Sequence, residues 1–431
     1  MAQRPDGRNQ TGAASATHST KKIRVVHTVP SWFGQLFSGH THYVFGLLSG
    51  WRDRDVSLDL WGTSVRPLNI GSGNLDYETT AQLWAHENVR HGRFRRWMTY
   101  ASRLTYLVAH ARSLDIVHFH NLGWDALLSP LLLHVYGRKA VFTMSLQGQD
   151  NPSAIAKSRG GRWAVKLMRH FDGIIALSPL LADDSLACGL RNVILLPNFM
   201  GLPQLERGRD MSAREKLRRE LSIPGDATVL LFVGAVIRRK GVDLLAESFA
   251  RLAPRHRDLW LVVAGPMSRA DFPGLDEETV RALKERIDRA GVASRVVWSG
   301  MLRDKNAVAS HYSAADIFVF PTRAEGMPNV LIEAVTMGLP VVATNLPGIT
   351  DFVVADGETG FLFPPEDVDA LTQTTERLIL DPTLRAKMGQ AARARSKRFG
   401  FEEHCRQLKT FYLGVAGNPR RIESFEEPDG R

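Results

Sequence analysis

Short runs of apolar, β-branched residues recur along this chain, each too short for a helix and apolar at successive positions. The first set is Ile23–Val29, Val56–Trp61, Asp115–His120, Ala140–Met144, Gly173–Leu177 and Val193–Leu196. The second set is Val229–Val233, Leu259–Ala264, Val296–Trp298, Ile317–Phe320, Val341–Thr344 and Phe361–Phe363. Strands apolar on both faces belong in buried parallel sheets, and the longer stretches between them suit crossover helices. The pattern predicts an α/β protein of two doubly wound units with six strands each. The stretch near 199–210 reads as a linker, and Ser212-Ala-Arg-Glu215 as a capping box that opens the next helix. Expected boundaries are a disordered N-terminus over 1–22, a first domain over 23–200, a second over 201–397, a last helix over 398–416 and a flexible tail over 417–431.

The polar and glycine residues that interrupt this pattern sit just after the predicted strands. Gly34 and Gly39 follow the first, His118 and His120 end the third, Gln147 and Asp150 follow the fourth, Ser178 the fifth and Asn198 the sixth. In the second set, Gly234 to Gly241 follow the first strand, Glu325 the fourth and Gly348 the fifth. Open α/β sheets bind ligands at the carboxyl ends of their strands, so two such edges facing each other predict a site in the cleft between them. His118, Gln147, Asp150 and Ser178 are the candidates for its first-domain, acceptor side.

The richest stretch is Phe320-Pro-Thr-Arg-Ala-Glu-Gly-Met-Pro-Asn-Val-Leu-Ile-Glu333. A strand leads in, Pro328 stands where a first helical turn tolerates it, and Gly338 with Pro340 ends the helix. Helix N-termini offer unpaired N–H groups and a positive dipole end, which suit phosphate, while Glu325 and Glu333 suit hydroxyls. Arg238, Arg239 and Lys240 crowd the loop before another predicted helix, where they fit a diphosphate. His118 and His120 share one face by strand alternation and suit a sugar hydroxyl, a phosphate or a proton; no third ligand for a metal is evident beside them. Val89–Arg112 reads as a basic amphipathic helix, core-facing or lying against an anionic surface.

The chain has 431 residues, a formal net charge of +10 and two cysteines. That excess of basic charge favours phosphate-bearing partners or an anionic membrane surface, but no zinc-finger spacing or nucleic-acid signature accompanies it. Cys188 and Cys405 support neither a disulfide scaffold nor a zinc site. The first 22 residues lack the apolar core of a signal peptide, and no apolar run is long enough to span a bilayer. The expected location is the cytoplasm, with peripheral contact at the inner face of the membrane.

The region from about 23 to 413 resembles the retaining, nucleotide-sugar-dependent glycosyltransferases of the GT-B fold, family 4 (glycosyltransferase group 1). Glu325-Gly-Met-Pro-Asn-Val-Leu-Ile-Glu333 matches the family's E-x7-E motif, and Met337-Gly-Leu-Pro, Pro347-Gly-Ile-Thr-Asp351 and Thr359-Gly-Phe-Leu fit around it. The resemblance implies two Rossmann-like domains facing across a cleft, with the last helix crossing back onto the first. It implies that Glu325 touches the donor sugar, helped by the amides from Gly326 through Met327, Pro328, Asn329 and Val330. By the same likeness Glu333 holds the ribose, Arg239 and Lys240 the diphosphate, and Gly39 faces the phosphates. His120 then lies near the transferred sugar, and no metal or other cofactor is needed. Ala235, Gln147 and Phe199 depart from the family's usual residues. The expected partners are a nucleotide sugar and a sugar or lipid-linked saccharide acceptor in cell-envelope polysaccharide or glycolipid synthesis, with no nucleic acid. A GT-B nucleotide-sugar epimerase and a non-catalytic sugar-nucleotide-binding subunit are the alternatives.

Overall fold

The computed structural model describes residues 22–28, 39–64, 83–87, 93–144, 151–200, 205, 208–272 and 275–417. Two parallel sheets organise them. The first holds β1 (Ile23–Thr28), β2 (Val56–Ser64), β3 (Leu83–Glu87), β4 (Ile116–Phe119), β5 (Lys139–Met144), β6 (Gly173–Ala176) and β7 (Val193–Leu195). The second holds β8 (Thr228–Val233), β9 (Leu259–Ala264), β10 (Val296–Gly300), β11 (Ile317–Phe320), β12 (Val341–Thr344) and β13 (Gly360–Phe363). Their orders are β3-β2-β1-β4-β5-β6-β7 and β10-β9-β8-β11-β12-β13. Every predicted strand run lies in one of the two sheets. The first sheet has one strand more than expected, because Leu-Trp-Ala-His-Glu is short and mixed in polarity yet pairs in parallel along β2.

In each sheet the order reverses once, between β1 and β4 and between β8 and β11. The loops leaving those pairs at their carboxyl ends diverge and leave a crevice. β8 and β11 are clamped at their opposite ends by Asp316. It takes Arg214 and Arg218 at 2.8 Å each and accepts the Val229 N–H at 2.8 Å.

The helix Met211–Glu220 is capped by Asp210, which accepts from the Ser212 and Ala213 amides. The cap therefore lies two residues before the expected capping box: Ser212 is already helical, and its hydroxyl donates to Asp210 at 2.9 Å. The expected linker also begins as core, since Phe199 and Met200 are buried and the Met200 N–H donates to the Phe399 carbonyl at 2.8 Å.

The last helix, Phe401–Val415, lies against the first sheet. Its Phe411 ring covers Gly173, where a Cβ would meet ring carbon at 2.4 Å, and Lys409 reaches Asp53 and Asp55 at 2.7 and 2.6 Å. The two halves also meet at the cleft. Asn198 Nδ2 donates to Asn329 Oδ1 at 2.7 Å, and the Leu180 N–H donates to the Gly348 carbonyl at 3.3 Å. Gly348 has φ +73°, and a Cβ there would lie 2.8 Å from the Leu180 nitrogen. Among the described residues, no helix is long and apolar enough to cross a membrane.

Candidate active site

The second sheet contributes the charged half of the site from its reversal point. Gly241 ends the loop after β8 with φ +70°, and a Cβ there would lie 1.7 Å from the Pro321 carbonyl oxygen. Only glycine allows both that conformation and that approach. The β11 loop consequently lies on the β8 loop. The Arg323 N–H donates to the Arg239 carbonyl at 2.8 Å, and the Thr322 hydroxyl oxygen lies 3.2 Å from the same carbonyl. The Arg323 guanidinium then forks onto Asp243 at 2.7 and 2.9 Å and reaches Glu366 at 2.8 Å.

This frame delivers three donors to one carboxylate oxygen. Glu325 Oε1 accepts from Lys240 Nζ at 2.7 Å, from the Thr322 hydroxyl at 2.8 Å and from Arg239 Nη1 at 3.0 Å. Oε2 accepts no hydrogen bond among the described residues. Glu325 is 6% exposed, so it is a buried charge stabilised by the mostly buried Lys240 ammonium and the half-exposed Arg239 guanidinium. Burial pushes the Lys240 ammonium down from its ordinary value, and Glu325 pulls it part of the way back.

The helix Asn329–Thr336 starts directly behind, with Pro328 at its N-cap. Proline has no N–H, so the amide donors of this stretch are those of Gly326, Met327, Asn329 and Val330. The Met327 side chain is buried in the core. Glu333, in the second turn, accepts from the Tyr312 hydroxyl at 2.7 Å. Its carboxyl is pushed up by burial against the opposing effect of that hydrogen bond.

The first sheet contributes a half built of neutral groups. In register, His27 on β1 pairs with His118 on β4, and His120 stands two residues beyond on the same face. The three rings lie close, with centroid separations of 4.2 to 5.1 Å, and each is buried. His27 Nδ1 pairs with His120 Nε2 at 2.9 Å, and His27 Nε2 with the Tyr412 hydroxyl at 3.1 Å. Tyr412 also meets His118 Nδ1 at 2.6 Å, and His118 Nε2 pairs with the Thr143 hydroxyl at 2.6 Å. Burial pushes His27 down to about 3, and burial with its imidazole neighbours holds His118 well below the ordinary range.

Three imidazoles with ligand atoms within 4.8 Å of one another have the composition of a metal centre, and His27 is the third ligand absent from the sequence reading. A ligating nitrogen needs its lone pair aimed at the ion. Both nitrogens of His27 and both of His118 instead face hydrogen-bond partners, so the donor set fits a hydrogen-bonded chain better than a coordination shell. His118, an acceptor-side candidate, is fully buried and joins the sheet to the last helix through Tyr412.

His120 directly follows β4 beside the Tyr43 ring at 5.9 Å, and Tyr43 packs on Phe199 at 5.3 Å. Phe199 adjoins Asn198, which bonds Asn329 across the cleft. His120 and the Glu325 loop are thereby tied to one junction. Ser178 is buried at the N-cap of the helix Pro179–Ala187, and its hydroxyl has no hydrogen-bond partner among the described residues. Gly39 opens the helix Gly39–Gly50. Gln147 and Asp150 lie outside the described residues. Sequence reasoning missed His27, Tyr412, Thr322 and Tyr312. The alternation that paired His118 with His120 could have found His27 once β1 was placed beside β4.

Residues 213–395 match the family model for glycosyl transferases group 1. A D-inositol 3-phosphate glycosyltransferase of Xylanimonas cellulosilytica is 32% identical over 311 residues, covering 69% of this chain and 71% of that one. The lipopolysaccharide core biosynthesis mannosyltransferase LpsB of Rhizobium meliloti is 29% identical over 265 residues, covering 60% of this chain and 70% of that one. Some other relatives are spanned over only about half their length. Among solved structures, Anabaena HepE in complex with UDP and glucose superposes with a TM-score of 0.72 at 20% identity, over 91% of this chain and 100% of that one. Sucrose-phosphate synthase from Thermosynechococcus elongatus gives 0.72 at 20% identity, over 91% and 99%. The fold is thus the two-lobed GT-B arrangement. The matched region carries the Glu325 site, and a 32% identical relative aligns over two thirds of both chains, so the protein belongs to the glycosyl transferases of group 1.

Proposed function

We propose that this glycosyltransferase moves a hexose from a nucleoside diphosphate sugar to a hydroxyl acceptor and retains the anomeric configuration. The observation that carries the reading is the buried Glu325 carboxylate held by Lys240 and Arg239 where the second sheet reverses. Two cations that share one carboxylate can transfer to a diphosphate, which brings more negative charge than Glu325 does. Glu325 is then released toward the donor sugar's hydroxyls, and the cations stabilise charge on the departing nucleoside diphosphate. This donor set supplies by side chains what a metal supplies elsewhere. Glu333 stands one turn further along, where a ribose diol could take the carboxylate oxygen that Tyr312 leaves. The acceptor hydroxyl enters from the side of His120. Closure of the lobes excludes the water that would hydrolyse the donor.

The names of the relatives point to lipopolysaccharide core, capsular polysaccharide and inositol phosphate as acceptor classes. A net charge of +10 favours work on a saccharide held at the anionic inner face of the membrane, with the enzyme in the cytoplasm. Recovery in flotation that is equal with neutral and with anionic vesicles would discard that placement.

A thermal-shift panel of nucleotide sugars tests the donor. The right one, at about a hundred times its Kd, adds about 2.7 kcal/mol of stability. No shift with any member of the panel would overturn the reading. Release of nucleoside diphosphate only with acceptor present separates transfer from epimerisation.

A further inference from the structure

A cavity of about 710 Å³ lies in the second lobe, behind the Glu325 site. Asp316 and Pro340 line it, and they immediately precede β11 and β12. It therefore sits at the amino edge of the second sheet, whereas Glu325 stands at the carboxyl edge. Both passages of the chain between the lobes reach it: Gly208 and Arg209 from the outgoing one, Lys397 from the returning one. The helix Pro382–Arg395 adds Arg385 and Arg393 to the wall. Among the described residues the lining thus holds four cationic side chains and one carboxylate. That carboxylate is already matched, since Asp316 takes Arg214 and Arg218 at 2.8 Å each.

The cations are held in place without being neutralised. Arg385 Nη1 donates to the Leu378 and Ile379 carbonyls at 2.6 and 2.8 Å. Arg209 Nη2 donates to the Ala315 carbonyl and to that of Ser313 at 3.3 Å, and lies 3.7 Å from Asp316. Its Nε is buried without a hydrogen-bond partner. The exposed Lys397 pairs with no carboxylate among the described residues. Arg393 donates to the Thr336 carbonyl and so covers the negative end of the helix Asn329–Thr336, which would repel an anion. Guanidinium groups pinned by carbonyls around a recess are prepared for an anion, and the volume falls within the range of about 300–1,000 Å³ usual for small-molecule sites. Arg209, Arg385 and Lys397 carry three charges, more than one carboxylate answers. A phosphate monoester brings about two negative charges and three acceptor oxygens. We propose that this recess binds a phosphate monoester through Arg209, Arg385 and Lys397, apart from the donor site. The bound phosphate joins the two passages between the lobes, because Arg209 and Lys397 belong to one each. The proposal does not rest on the transferase reading, and its test reads binding rather than turnover.

The test titrates the full chain with glucose 6-phosphate in a calorimeter, with glucose as the uncharged control. Saturable binding of the phosphate and none of glucose is expected. Arg385→Gln combined with Lys397→Gln should weaken it at least about tenfold. Lys397→Glu, which breaks no hydrogen bond, should weaken it likewise and replaces the double variant if that one melts early. Arg281→Gln with Arg289→Gln removes the same charge from the helix Glu277–Arg289 and should leave the affinity within about twofold. Lys240→Gln alters the donor site and should leave this binding in place. Where glucose 6-phosphate does not bind up to about 10 mM, flotation with phosphatidylcholine vesicles, with and without phosphatidic acid, tests a lipid headgroup as the source of the phosphate. Recovery that needs phosphatidic acid and falls in the cavity variants, but not in the Arg281 and Arg289 variant, supports the site with a lipid occupant. Binding of neither probe, equal behaviour of the cavity and control variants, or binding lost in Lys240→Gln and kept in the cavity variants would overturn the proposal.

Discussion

The two edges that meet at the cleft solve the same burial problem in opposite ways. The second sheet edge gathers charge: the buried Glu325 carboxylate holds Lys240 and Arg239 at 2.7 to 3.0 Å, leaving one positive charge in excess. The first sheet buries hydroxyls and imidazoles, and burial keeps those of His27 and His118 neutral. A buried charge cluster can be taken over by an incoming ion, because its members keep their attraction for any better partner. A neutral chain cannot attract a phosphate strongly, but it can fix which atom presents a hydrogen. Under the proposed function the contrast divides the labour: the charged lobe would take the leaving group, and the other would orient what approaches.

The sharpest break of that contrast is Glu325→Gln. It keeps the shape and the Thr322 contact but leaves two cations without their counter-charge. Turnover should fall by about a thousandfold or more, read as acceptor-dependent release of nucleoside diphosphate. Unchanged turnover would take the charged edge out of the chemistry. Next comes the frame beneath it. Gly241→Ala puts a Cβ 1.7 Å from the Pro321 carbonyl at φ +70°, so the two loops must part, and a loss of about 3 kcal/mol in urea unfolding is expected.

Acid attacks the opposite edge. His27, and His404 on the last helix, where it pairs with the Tyr43 hydroxyl at 2.8 Å, are pushed by burial to about 3 and about 4, so each is neutral when folded and accepts a proton near the ordinary value of 6.5 when unfolded. The unfolded state therefore binds more protons as pH falls. Stability should drop by about 1.4 kcal/mol per pH unit for each histidine, through the window from about 6.5 down to about 4 for His404 and about 3 for His27. Melting curves across that window check the sign, and a flat profile would mean these rings are charged in the fold. The smallest effect belongs to the rim of the charged edge. Arg323→Lys loses the fork onto the half-exposed Asp243, and should cost about 1 kcal/mol and less in high salt.

Both sheets were legible because buried parallel strands announce themselves as apolar runs. β3 was not, since Leu83–Glu87 has neither an apolar run nor a clear alternation, and its pairing is set by β2. Half of the site was legible for a related reason. Glu325, Arg239 and Lys240 lie on two loops whose order along the chain mirrors their meeting at the reversal point. The imidazole edge was only half visible. His118 and His120 are neighbours in sequence, but His27 is hidden inside the apolar run of β1, and Tyr412 joins from 294 residues beyond His118. No local pattern records a contact of that separation. Asp210 escaped because a capping box two residues later offered an equally plausible helix start.

The returning helix also orders events during synthesis. Phe411 covers Gly173 and Tyr412 closes onto β1 and β4, so a sheet made from residues 23–195 keeps the patch around Gly173, His27 and His118 uncovered while the whole second lobe is translated. Nascent chains released before residue 412 should therefore expose apolar surface on the earlier lobe and recruit chaperones, although every strand of that lobe has already been made.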